Sequence, residues 1–378
     1  MNNKEFLFIY DATLCNPNGD PDRDNEPRMD KATETNLVSD GRLKRYIRDY
    51  LIDKDKPVFV SMVGGQKVSP TTRLTALIND LEENEKKFNE LVEFDKELKE
   101  KLKFYKENIK SIFTNFSYLR IFNYRDTKLE SKANDANTKK EENKIINKLK
   151  EKKLKTVLNN FTLLALVRKY FIDVRLFGSA FAIDGFSQTV TGPVQINMGY
   201  SLHPVKLKSN SIVTIAGDTD GESGMGKKEL LYYSLIAFTG TINSKRTEFV
   251  NLTDNDINDF REAIIKSVPY NTTDSKKNQF PKLYLEIEYN DSEIYGRLGD
   301  LRNHIVIKSN VKDKNDENDF EKLRNINELD INFSKLYEKI KIISEKIKKV
   351  RVWKAIGFDD FDEKQLNIPE SSIEILTI

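Results

Sequence analysis

Four basic residues near the start of the chain have the types and spacing to neutralise a polyanion: Arg42, Lys44, Arg45 and Arg48. If the stretch is helical, Lys44 and Arg48 stand one turn apart and reach neighbouring phosphates. The run Ser39-Asp40-Gly41-Arg42-Leu43-Lys44-Arg45-Tyr46-Ile47-Arg48-Asp49 reads as such a helix. Ser39 is a natural N-cap, and Asp40 suits the positive end of the helix dipole. Leu43, Tyr46, Ile47, Tyr50 and Leu51 recur at helical spacing and make one apolar face, so the bases occupy the remaining circumference. Free backbone N–H groups at the helix start add anion-binding capacity. Charge alone leaves two readings: a phosphate grip, or an ordinary solvated face.

The loop before the helix reads Asn16-Pro17-Asn18-Gly19-Asp20-Pro21. Proline removes donors, and Asn-Gly favours positive backbone angles, so regular structure is not expected here. The preceding run, residues 5–12, reads as a buried strand, and loops at strand ends are common places for function. Asn18 and Gly19 are expected to let this loop approach a ligand backbone closely.

Other motifs offer other chemistries. Asp20, Asp22 and Asp24 alternate as in a calcium loop. An EF-hand, however, needs Gly at its sixth position and Glu at its twelfth, where Asn25 and Lys31 stand. With Asp30 these acids could instead hold a catalytic metal for RNA cleavage, although paired acids alone say little. The run Gly221-Glu222-Ser223-Gly224-Met225-Gly226-Lys227-Lys228 nearly matches a Walker A loop. Lys228 occupies the place of the magnesium-holding Ser or Thr, and the following run looks like strand, so a Gly-rich hairpin tip is the better reading. His203 lies at a strand end in Tyr200-Ser201-Leu202-His203-Pro204, where it could donate to a phosphate or serve the core. His304 is far from it in sequence, and neither has a triad or metal spacing.

Composition narrows the classes. A net charge of +2 does not announce a nucleic-acid binder, so any basic patch must come from segregation of charge. The single cysteine, Cys15, excludes a disulfide within the chain and a Cys-based zinc site. No stretch approaches a membrane helix, and the first residues lack a signal-like apolar run, so a cytoplasmic location with no membrane partner is expected.

These residues need elements to position them. Helices are expected over 157–171 and 252–268, and strands over 170–177, 194–201, 230–241 and 282–289. A late helix over 333–353 would put Leu336, Ile340, Ile343, Ile347 and Val350 inward. Residues 126–153, rich in Lys, Asn and Glu, read as a mobile basic loop. Strands alternating with helices imply an α+β fold.

Taken together, Asn-Pro-Asn-Gly-Asp-Pro and the Val38-Ser39-Asp40 helix resemble the backbone subunit of type I CRISPR effector complexes, the Cascade backbone family. The likeness continues in Asp173-Val174-Arg175-Leu176-Phe177-Gly178 and in residues 191–205, which begin Thr191-Gly192-Pro193-Val194-Gln195-Ile196-Asn197. It runs from the first strand to about residue 205, and weakly to about residue 310. It looks closest to subtype I-B, with the first motif shared by subtype I-C.

The resemblance implies an RRM-like (ferredoxin-like) palm with a helical finger insertion and a β-hairpin thumb. The palm would take 1–78, 157–206 and 229–330, the insertion 79–156, the thumb 207–228, and a C-terminal helix and tail 331–378. It implies a non-catalytic scaffold that binds guide RNA (crRNA), stacks with copies of itself head to tail, joins other CRISPR effector subunits, and presents the guide to target DNA. No cofactor is implied. The implied RNA contacts are Asn18, Gly19, Ser39, Arg42, Lys44, Arg45, Arg48, the Phe177-Gly178-Ser179 turn, Gln195, Asn197 and His203. Met225 is the thumb candidate for displacing bases. Two other readings stand beside it: a metal-dependent ribonuclease of the related type III kind, and a free-standing RNA-binding protein.

Overall fold

A computed structural model describes residues 1–63, 66–67, 69–109, 134–151, 154–183, 186–214, 224–292, 298–311 and 319–378. The chain divides into two compact units, one of residues 1–54, 193–245 and 257–378, the other of 55–192 and 246–256. Residues 55–78 and 157–192 therefore fold with the helical insertion rather than with the palm expected from sequence.

The first unit is built on a ten-stranded sheet. Strand Lys4–Cys15 lies inside it, antiparallel to Gly224–Ile242 on one side and Gln279–Tyr289 on the other. Its alternation explains that place, because both sets of side chains are apolar. Leu7 and Ile9 enter a core closed by Leu336, Ile340, Val350 and Val352. Phe6, on the opposite face, packs its ring on Phe260 and Tyr284. Phe260 belongs to helix Asp254–Tyr270, so that face is helix-covered. A strand buried on both faces reads as a continuous hydrophobic run.

Strand Gly224–Ile242 does two jobs along its 19 residues. Its second half is core. Its first half leaves the core as one arm of a hairpin with Leu207–Thr214, in register from Leu207 opposite Leu231 to Thr214 opposite Gly224. The two paired arms are thus continuous with a central strand of the sheet. Gly224–Lys228, the described part of the Walker-like run, is paired strand, while residues 221–223 lie outside the described residues.

Three expectations are corrected. Residues 333–353 are not one helix: Ser334–Ile342 is helical, and Ile347–Lys354 is a strand antiparallel to Gln279–Tyr289. Ile347, Val350 and Val352 are buried there while Arg351 points to the other face, and β-branched residues favour that pleated setting. Residues 172–177 form a helix (Ile172–Phe177), not a strand, and strand begins at Gly178. The Asp173 carboxylate at that helix start accepts the Phe59 N–H (2.7 Å) and the Val60 N–H (3.2 Å). A short apolar run fits either element by periodicity, and tertiary contacts decide it. Ala136–Glu151, expected as loop, is helix, with the Asp135 carboxylate accepting the Thr138 N–H (2.9 Å) at its start. Residues 126–133 and 152–153 lie outside the described residues.

The second unit carries helices Pro70–Glu83, Glu85–Phe94 and Lys96–Ile109. Each break serves the helix after it: Asn84 caps Lys87, and Asp95 caps Leu98. Asp95 also holds Arg168, with both side chains 1% exposed.

Candidate nucleic-acid interface

The basic helix folds as its spacing predicts. It spans Asp40–Asp53 and buries Leu43, Tyr46, Ile47, Tyr50 and Leu51. Its start is joined to the Asn16–Pro21 loop through one side chain. Asn18 Oδ1 accepts from both the Ser39 N–H (2.8 Å) and the Ser39 hydroxyl (2.9 Å), and Ser39 Oγ in turn accepts the Arg42 N–H (3.2 Å). Asn18, 9% exposed, is therefore an anchor for the helix start rather than an exposed contact.

Gly19 is not in the positive-φ region; it opens a two-residue strand paired with Glu26–Pro27. A Cβ at this position would come within 1.9 Å of Asn25 Oδ1, so the glycine makes room for Asn25. This replaces the expectation that its bareness serves a ligand.

The bases around the helix differ in their company. Lys44 pairs with Asp40 (3.0 Å) and Arg45 with Asp49 (2.7 Å), both one turn apart. The Arg42 guanidinium carbon lies 4.2 Å from the centre of the Tyr46 ring. Arg48 is half-buried on the same helix.

Lys276, which the sequence reading passed over, enters this group from residues 271–278. Its Nζ donates to the Asn16 carbonyl. Burial, then the nearby Arg42 charge, lower its pKa to about 8. The readable signal was a turn-rich polar stretch, Thr272-Thr273-Asp274-Ser275-Lys276-Lys277-Asn278, placed between a helix and a strand as the opening loop is.

The central motif splits between the units. Gln195 pairs in register with Thr241 on the central strand. Asn197 is exposed, its N–H bonded to the Thr239 carbonyl (2.8 Å) and its Nδ2 to Thr239 Oγ1 (3.0 Å). His203 is corrected to a core residue, 2% exposed. Its Nδ1 bonds to the Pro204 carbonyl (2.7 Å), and its Nε2 accepts the Leu235 N–H (3.1 Å). Burial lowers its pKa to about 4, so the ring is neutral at pH 7 and has no nitrogen left for a phosphate.

Phe177, Gly178 and Ser179 belong to the second unit. Phe177 is buried there at 7% exposure, which removes it from the contact set. Gly178 has φ +77, and a Cβ on it would meet Val190 O at 2.0 Å. A Cβ on Gly192 would meet the Phe177 carbonyl carbon at 2.3 Å. The two glycines let the chain cross itself, which accounts for both Gly-containing motifs by packing. Met225 stands on the paired return arm opposite Val213, and residues 215–223 lie outside the described residues.

The acidic loop does not converge. Asp20 accepts from Asp22 N–H (3.4 Å) and pairs with Arg28 (3.4 Å). Among the described residues no group of three or more His, Cys, Asp or Glu is placed to hold a metal ion. Beside this loop a groove of about 510 Å³ is lined by Arg23, Arg28 and Lys206 together with Glu26, Asp30 and Glu34. Mixed signs make it a poor polyanion channel on its own. Among the described residues no helix is long and apolar enough to cross a membrane.

Fold and site together define an α+β protein with a large mixed sheet and a cationic edge built on a strand, a loop and a capped helix. The chain belongs to the family described as CRISPR-associated protein Cas7, which matches residues 2–334. A CRISPR-associated protein Cas7 of Haloferax volcanii is 24% identical over 359 residues, covering 93% of this chain and 86% of that protein. A chain in a solved structure described as a CRISPR RNA-guided surveillance complex, pre-nicking, is similar in fold, with a TM-score of 0.52 and 13% identity. That likeness covers 99% of this chain and 96% of the other.

Proposed function

We propose that this protein is the guide-RNA-binding backbone subunit of a type I CRISPR interference complex, of subtype I-B. The observation that carries the reading is the anchored loop–helix unit, in which Asn18 and Ser39 fix the start of a helix bearing Arg42, Lys44, Arg45 and Arg48. Fixed cations on one edge hold sugar–phosphate backbone by shape and charge, and base pairing reads sequence. Gln195 and Asn197, on and beside the central sheet of the same unit, extend that edge.

The strand sequence Gln279–Tyr289, Lys4–Cys15, Gly224–Ile242, Gly199–Ser201, with Asp40–Asp53 and Asp254–Tyr270 as the helices, reads as a ferredoxin-like palm. Its other face is closed by the C-terminal core, which supports binding along the edge rather than on an open RRM sheet. Copies stack head to tail, a non-closing contact that grows along the RNA. Together with other effector subunits they present the guide to target DNA in the cytoplasm. The subunit holds RNA without cutting it, and His203 serves packing.

Electron microscopy of the purified assembly, with its co-purifying RNA sequenced, tests this. The expected result is a repeated subunit along one short RNA. A monomer with guide RNA and partner subunits present removes the filament, and metal-dependent RNA cleavage abolished by Asp20→Ala replaces the scaffold reading with the nuclease one.

A further inference from the structure

On the loop–helix edge, Arg42 and Lys276 have no carboxylate partner among the described residues. Several neighbours are paired with acids. Lys44 has Asp40, Arg45 has Asp49, and Lys228 and Lys277 share Asp274. Arg42 is stacked on Tyr46, and its Nε is buried with no hydrogen-bond partner.

Lys276 is held in place from three sides. Asn16 N–H donates to the Ser275 carbonyl (2.8 Å), Gln279 Nε2 to the Lys276 carbonyl (2.6 Å), and Asn271 Nδ2 to the Tyr46 carbonyl (3.2 Å). Beside the Asn16 carbonyl that accepts from it, the titratable neighbours of the Lys276 ammonium are Arg42, of like charge, and Cys15. Burial pushes the Cys15 thiol up to about 12, so it stays neutral and supplies no counter-charge. Two like charges partly removed from water, with no anion between them, oppose folding. Gln279 Nε2, which donates to the Lys276 carbonyl, also donates to the hydroxyl of Tyr46 (3.3 Å), the ring on which Arg42 lies, so one helix–loop junction holds both residues. One bound anion satisfies both.

We propose that Arg42 and Lys276 form a two-cation pocket that takes a single phosphate of the bound RNA backbone. Arg42 offers fork-shaped N–H donors and Lys276 a compact point charge, a pairing suited to a phosphodiester. The pocket rests on the RNA-binding reading above and adds to it a residue from outside the basic helix.

The test uses the full chain and a mixed-sequence single-stranded RNA oligonucleotide titrated at several salt concentrations. Lys276→Gln and Arg42→Gln are each expected to weaken binding by on the order of tenfold, the scale of one charged hydrogen bond. Each should flatten the logarithmic salt slope by about 0.7, the contribution of one single-strand phosphate. The double variant should be little worse than the weaker single one, because both act on one phosphate. Lys276→Arg should retain binding. Without RNA, Lys276→Gln should melt no lower than the unmodified chain at pH 7, since it removes a like charge; a lysine that only braces the loop would melt lower.

Salt-dependent RNA binding that Lys276→Gln leaves unchanged in affinity and slope sinks the pocket and leaves the RNA-binding reading standing. So do single effects that add in full, which would mean separate phosphates. A chain that binds no RNA at all overturns both.

Discussion

The first unit contains two cationic clusters that are built in opposite ways. Around Glu286, fully buried, Arg261 makes two hydrogen bonds (2.9 and 2.6 Å), Arg351 makes a third (2.9 Å), and the Tyr284 hydroxyl a fourth (2.9 Å). Arg351 also reaches Glu288 (2.7 Å) and Glu374 (3.0 Å). Every charge in this cluster is answered inside the protein. At the loop–helix edge, Arg42 and Lys276 are answered by no carboxylate among the described residues. Both clusters hold an arginine braced by neighbours. What separates them is whether the acid comes from the chain, and that marks one as architecture and the other as a place for an external anion.

The largest effect should follow from breaking the closed cluster. Burial alone would raise the Glu286 pKa, but the Arg261 hydrogen bonds and charge, with Arg351 beyond them, hold the carboxyl below its usual range. Removing its charge strands the Arg261 guanidinium in a buried setting and leaves Arg351 with only Glu288 and Glu374. Glu286→Gln is expected to cost roughly 3–5 kcal/mol, the scale for breaking a buried pair from one side. Chemical denaturation measures this, and a loss under about 1 kcal/mol would contradict the closed reading. RNA affinity of the protein that remains folded should keep its salt slope, because this cluster touches no phosphate.

His203 tests the boundary between the clusters, since its sequence context suggested the open one and its contacts place it in the closed one. Its folded pKa, about 4, lies below the 6.5 of an unperturbed histidine. Between those values the unfolded chain binds more protons than the folded one, so stability falls as pH drops from about 6.5 to 4. For this one group the loss approaches about 3 kcal/mol, at 1.36 kcal/mol per pKa unit. Urea midpoints of the unmodified chain and His203→Gln, compared across that range, should show the acid-dependent part shrink in the variant. An unchanged pH profile would mean that His203 does not stay neutral in the fold.

Legibility followed the range of the interactions concerned. The basic helix was readable to its five buried positions because Leu43, Tyr46, Ile47, Tyr50 and Leu51 obey one local period and Ser39 caps its start. The strand over residues 5–12 was readable as a local apolar run. Residues 347–354 were not, because Ile347 and Val350 fit a helical spacing as well as a strand; Val352 and pairing with Gln279–Tyr289 settle the matter. Lys276 was invisible because its company, Asn16 and Arg42, is assembled by topology. Gly19 was misassigned because a glycine in a turn has two uses, positive φ and bare space, and only Asn25 shows which applies here.

The smallest stability effect, and the sharpest probe of the open cluster, belongs to Asn18. Its carbonyl oxygen joins the loop to the helix start through two bonds to Ser39, while its own Nδ2 donates to the Gly19 carbonyl (3.1 Å). Asn18→Ala deletes an anchor outside the cap itself, because Ser39 still accepts the Arg42 N–H. The expected cost is about 1 kcal/mol, in the range of a lost cap or neutral hydrogen bond. RNA binding should suffer more than stability does, because Arg42 and the Asn16 carbonyl that holds Lys276 both depend on the loop and helix start being locked together. Thermal melting and RNA titration of one preparation separate the two. If affinity falls no further than the small loss of stability accounts for, Asn18 positions nothing, and the open cluster does not depend on the loop that opens it.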